Sequence, residues 1–164
     1  MAVLPVLVWP NPILTTPCTA VAAITEDLRA LAADMRATMY AAPGRGLAAP
    51  QVGATLRMFV MDVTWKEGKP DPMVVVNPEI LWRSEETAVG AEGCLSIPGV
   101  TTDIRRAKEI RLRWSDLAGQ VQDAHLTGFA AICAQHEYDH LDGVLTLHRL
   151  SPEARAAAEA EYFA

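Results

Sequence analysis

The stretch GFAAICAQHEYDHLDG, residues 128–143, constrains the fold of this chain more than any other. Thr127 stands at a capping position ahead of it and Gly143 closes it, so the segment reads as one helix. Phe129, Ile132, Cys133, His136 and His140 recur at helical spacing and share one face. Two imidazoles therefore continue an apolar stripe, and the surrounding fold must enclose this helix and give those rings partners.

Elements that can do the enclosing precede it. Thr25 caps a helix that runs to about Tyr40, with Glu26 and Asp27 at its positive end. Leu28, Leu31, Ala32, Met35 and Met39 form its apolar stripe, and Pro43 and Gly44 end it. RMFVMDV, PMVVVN and EIRLRW then read as strands, separated by turn-forming pieces such as KEGKPD and DLAG. The residues after Cys94 read as loop. Ser151, Pro152 and Glu153 open a short alanine-rich terminal helix. The expected class is α+β, with antiparallel β-sheets wrapped around a central histidine-bearing helix and one domain spanning residues 1–164.

Half the residues are hydrophobic and 21% are charged, with a formal net charge of -6. That balance argues against a broad nucleic-acid surface and leaves only a local basic patch around Arg105, Arg106 and Lys108. The N-terminus MAVLPVLVWPNP has no basic region before its apolar part, and no apolar run is long enough to span a bilayer. No membrane binding is expected, and the expected location is the cytoplasm. Three cysteines, Cys18, Cys94 and Cys133, are too few for a disulfide framework.

His136 and His140, one helical turn apart, can bind one ion, and Glu137 lies about 100° round the helix, where it can accept a proton from water at that ion. A hydrolytic centre needs a third protein ligand and an open position. Cys94, in GAEGCLSIPGV, is one candidate. A downstream acid, Glu159 or Glu161, is another and would make a zinc endopeptidase. Spacing alone leaves the choice open.

Three segments in order, GRGLAAPQVG at 44–53, EGCLS at 92–96 and QHEYDHLDG at 135–143, resemble the peptide deformylase family. The resemblance extends from about Pro10 to Leu150. It implies that Cys94, His136 and His140 hold one divalent ion, Fe²⁺ in the cell and replaceable by Zn²⁺, Ni²⁺ or Co²⁺. It implies Glu137 as general base, with the Gln51 amide and the Leu95 N–H as oxyanion donors. Arg45, Gly46 and Gly93 would meet the substrate, and Phe129, Ile132 and Cys133 would line a methionine pocket. Asp139 and Glu92 would make supporting hydrogen bonds. The substrates would be N-formylmethionyl nascent peptides, and the protein a monomer.

This chain departs from the family at Arg45, where valine or isoleucine is usual, and at the Val100-Thr101-Thr102 rim. The tail SPEARAAAEAEYFA is not basic, so docking on a ribosome through it is not expected. Two other readings follow from the same residues: an amidase that uses this chemistry on another N-acyl peptide, and a catalytically idle relative. His125, His148 and Cys18 read as structural.

Overall fold

The computed structural model describes residues Met1–Ala164. A five-stranded sheet has the order β1-β2-β3-β6-β7, built from Gly46–Ala48, Met58–Met61, Met73–Arg83, Glu109–Ser115 and Val121–Thr127. A separate hairpin pairs β4 (Thr87–Cys94) with β5 (Ile97–Ala107). All the ladders are antiparallel. Helices α1 (Glu26–Ala41), α2 (Gly128–Leu141) and α3 (Pro152–Phe163) complete the α+β architecture.

β2 explains how the layers assemble. All four of its residues are buried, because helices cover both faces of the sheet there. Met58 and Val60 join Leu28, Ala32, Met35 and Met39 of α1 in one apolar cluster. Phe59 and Met61 point the other way, into a cluster with Ala131, Cys133, Ala134 and Leu141 of α2. A strand covered on both sides loses the polar alternation that a half-exposed strand shows. β6 keeps it: Ile110 and Leu112 are buried, while Arg111 and Arg113 face outward and pair with Asp123. A third cluster joins Leu14, Cys94, Ile97 and Val100 to Leu145, Leu147 and Ala158 near α3.

The helix ends follow their caps. Thr25 accepts from the Leu28 N–H at 3.1 Å, and Ser151 accepts from the Ala154 N–H at 3.2 Å. Thr127 occupies the capping position of α2, but its side chain makes no capping bond, contrary to expectation. It is also the last residue of β7, so its backbone belongs to the β6–β7 ladder, and the chain enters α2 through Gly128 at φ 56°. Past the end of α2, Gly143 has φ 73°, and a Cβ there would lie 2.7 Å from the Thr15 backbone. Only glycine satisfies both conditions.

The residues after Cys94 are not loop. Leu95 and Ser96 form a two-residue turn, and β5 follows as one of the two longest strands. Turn and proline signals in SIPG mask this hairpin in the sequence. Arg106 corrects a second expectation. Arg105 bonds Thr87 and Lys108 pairs with exposed Glu86, but Arg106 is 5% exposed and faces inward, so the three do not form one surface patch.

Candidate metal centre

Two elements deliver the cluster. α2 presents His136 and His140 on its covered face, and the end of β4 brings Cys94 up to them. Register slips between Gly93, opposite Thr101, and Cys94, opposite Ile97. That bulge turns the strand just before the cysteine and leaves Pro98, Gly99 and Val100 unpaired at the rim. One ligand atom from each of Cys94, His136 and His140 lies within 4.8 Å of the other two. The Cys94 Sγ–His140 Nε2 distance is 3.5 Å. A tetrahedral ion with bonds of about 2.0–2.3 Å needs donors roughly 3.3–3.8 Å apart, so one soft thiolate and two imidazoles fit an ion with little movement. Neither Glu159 nor Glu161 belongs to this cluster.

The orientation of His136 is set from behind. Its Nδ1 is 2.9 Å from Glu92 Oε1, which leaves Nε2 for the cluster. Arg106 grips the same carboxylate through Nε and Nη2, at 2.7 and 2.9 Å, and donates from Nη1 to Asp139 at 2.9 Å. Arg149 closes the chain with two bonds to Asp139, at 2.7 and 3.0 Å. Glu92 and Asp139 thus make supporting hydrogen bonds, as the family resemblance implies. The two arginines escaped sequence reasoning: Arg106 lies in β5 among outward-facing polar residues, and Arg149 ends a short 3₁₀ turn after α2, where a cation reads as solvent-facing. Burial opposes ionisation of Glu92, but bonds from His136 and Arg106 outweigh it and hold the carboxyl below its usual range.

Glu137 is 4% exposed, and its Oε1 is buried without a partner. Burial pushes its pKa up to about 7 against the opposing charges of His136 and Arg106. A carboxyl poised there can both accept and return a proton near neutral pH. Room for it comes from Gly46, where a Cβ would lie 2.5 Å from Glu137 Oε2 and 3.0 Å from Cys133 Sγ. His140 is driven the other way, well below the usual imidazole value, by burial and by the charges of His136 and Arg106. A neutral ring is the form that can ligate.

Gln51 sits in a 3₁₀ turn, Ala49–Val52, directly after β1. Its Oε1 accepts from the Ala48 N–H at 2.9 Å, which points Nε2 at Ser96 Oγ (3.0 Å) and Cys94 Sγ (3.7 Å). The N-terminal segment braces both walls: the Leu7 N–H donates to Gln51 O and the Trp9 N–H to Ser96 O. The Leu95 N–H makes none of the turn and loop hydrogen bonds.

These groups open on a cleft of about 690 Å³. Arg45, Gly46, Gln51, Gly93, Cys94, Leu95, Phe129, Ile132, Cys133, His136 and Glu137 all line it. His140, the most buried member of the cluster, does not. Phe129 departs from the core-facing stripe and is 51% exposed at the mouth, beneath the Arg45 guanidinium. Nothing lies within 4 Å of a Cβ built at Gly93, so no internal packing requires a glycine there. Val100 and Thr101 reach the cleft, and Thr102 does not.

The sequence model described as polypeptide deformylase matches residues 3–156. A peptide deformylase of Alkalilimnicola ehrlichii is 50% identical over 151 residues, covering 92% of this chain and 84% of that one. One from Afipia carboxidovorans is 52% identical over 128 residues, covering 78% and 75%. A crystal structure of a peptide deformylase from Legionella pneumophila superposes with a TM-score of 0.93 at 36% identity, covering 99% of this chain and 94% of that one. The Ehrlichia chaffeensis peptide deformylase in complex with actinonin gives the same score and identity, covering 98% and 96%.

Proposed function

This chain belongs to the polypeptide deformylase family, hydrolases that remove the N-formyl group from nascent peptides, and we propose that it does so through the residues gathered at the cleft floor. The observation that carries the assignment of roles is the convergence of Cys94, His136 and His140 beside a buried Glu137 whose Oε1 has no hydrogen-bond partner. When bound by these three ligands, a divalent ion supplies Lewis acidity that makes a water acidic enough to deprotonate near neutral pH. Fe²⁺ is the ion we assign, with Zn²⁺, Ni²⁺ or Co²⁺ able to replace it. The mixed thiolate and imidazole set suits all four.

Glu137 takes a proton from the water as it attacks the formyl carbon, then delivers it to the leaving amine. Formate and a peptide with a free N-terminal methionine result. The oxyanion that forms at the formyl carbon is met by Gln51 Nε2 and the Leu95 N–H. Support for Gln51 is the bond from Ala48 that fixes which end of its amide faces the cluster. Ile132 and Cys133, with Phe129 at the mouth, give the methionine side chain an apolar wall, and Gly93 admits the peptide backbone. Residues 1–164 act as one domain, as a monomer, in the cytoplasm. The terminal helix does not dock on a ribosome: its Arg155 is already paired with Glu159 at 2.6 Å, and its other charges are acidic.

Formate release from an amidated formyl-Met tripeptide tests the reading, with Fe²⁺ protein prepared anaerobically and Glu137→Ala alongside. The variant should lose at least about 10²-fold in rate while binding a full equivalent of metal. Unchanged turnover in the variant would remove Glu137 from the mechanism.

A further inference from the structure

Two cations stand at the mouth of the cleft against aromatic rings but without an ion-pair partner. Arg45 precedes β1, the outer strand of the five-stranded sheet. Its backbone is pinned, since its carbonyl accepts from the Asp62 N–H at 2.9 Å and from the Cys133 thiol at 3.6 Å. Its guanidinium carbon lies 5.4 Å from the centre of the Phe129 ring. Stacking of this kind occupies the π-face and leaves the in-plane N–H donors free for a carboxylate. Lys66 joins it because the Trp65 indole donates to Gly44 O at 2.9 Å, which anchors the 65–67 turn on the loop that carries Arg45.

Both side chains line the cleft, and neither forms an ion pair. The acids that share the cleft are committed elsewhere: Glu92 to Arg106 and His136, Glu137 to the floor. Glu67, next to Lys66, does not line it. The rim is therefore locally positive on a chain whose net charge is -6.

We propose that Arg45 and Lys66 make this enzyme select formyl-methionyl peptides carrying an acidic side chain at one of the two positions after methionine. The inference rests on the deformylase reading and names a preference within it. A peptide whose methionine enters the pocket beside Ile132 and Cys133 must leave the cleft past this rim. A carboxylate there gains two partners, whereas a lysine meets two like charges. Exposed pairs of this kind favour the acidic over the lysyl peptide by roughly 10-fold in kcat/KM at low salt, acting through KM and fading as salt rises.

The test is a set of C-terminally amidated peptides, formyl-Met-Ala-Ser, formyl-Met-Glu-Ser, formyl-Met-Ala-Glu and formyl-Met-Lys-Ser, assayed on the metal-loaded enzyme. Amidation leaves the side chain as the sole carboxylate. The wild type should prefer one of the glutamyl peptides to the lysyl one, Arg45→Gln should lower the ratio, Arg45→Gln with Lys66→Gln should bring it close to one, and Arg45→Glu with Lys66→Gln should invert it. Inversion cannot arise from a folding defect, which lowers every rate together. Equal kcat/KM across the set in the wild type overturns the preference while leaving the deformylase reading intact. Absence of formate from all four peptides sinks the reading beneath it.

Discussion

At Gly46 a single missing carbon governs where the Glu137 carboxylate can lie. The family resemblance implies that Gly46 meets the substrate, and it lines the cleft, but the space a Cβ would take is filled by Glu137 at Gly46 and by the Leu95 side chain at Gly44. Gly46→Ala must therefore push the Glu137 carboxylate aside, while Cys94 and the histidines keep their positions. We expect kcat to fall by about 10²-fold with metal content unchanged, which parallel steady-state and metal-content measurements check. His136, Glu137 and His140 are legible in the sequence because a short motif places them within little more than one turn of one helix, whereas Cys94 arrives from the end of β4 and spacing alone leaves it level with Glu159 and Glu161. Arg106 is not, since nothing local distinguishes an inward arginine from its outward neighbours. Its partners, Glu92 and Asp139, come from two other elements.

At the scale of elements, α1 positions the rim loop through one hydrogen bond. The Tyr40 hydroxyl donates to Asp62 Oδ2 at 2.6 Å, and Asp62 also accepts from the Asp71 N–H at 3.1 Å, holding the loop between β2 and β3. Burial, then the bond and charge of Asp62, push the tyrosine up to about 12. Below the unfolded value of about 10 both states hold the proton and the contribution is complete. Between roughly 10 and 12 the unfolded chain ionises first, so stability falls as pH rises. Urea midpoints at pH 9 and pH 11 should drop further for the wild type than for Tyr40→Phe. This contact is invisible in the sequence because it joins the end of one helix to a loop beyond the next two strands. The helices themselves are legible, in stripe and in caps at Thr25 and Ser151. The β4–β5 hairpin is hidden by the turn-like SIPG that its bulge requires.

Across the whole molecule, β2 divides the interior. Phe59 and Val60 are joined by a peptide bond, yet Phe59 packs with α2, which carries His136 and His140, and Val60 with α1. Phe59 and Val75 are cross-strand partners within one cluster. Denaturant unfolding of Phe59→Leu and Val60→Ala, singly and combined, should give losses that add to within about 0.5 kcal/mol. Phe59→Leu combined with Val75→Ala should depart from additivity by more than that. The strand is thus a party wall, and its two tenants answer to different landlords. Substitutions at 58 and 60 can adjust how firmly the protein stands, while those at 59 and 61 are heard at the cleft. Adjacency along the chain is then a poor guide to which residues must change together.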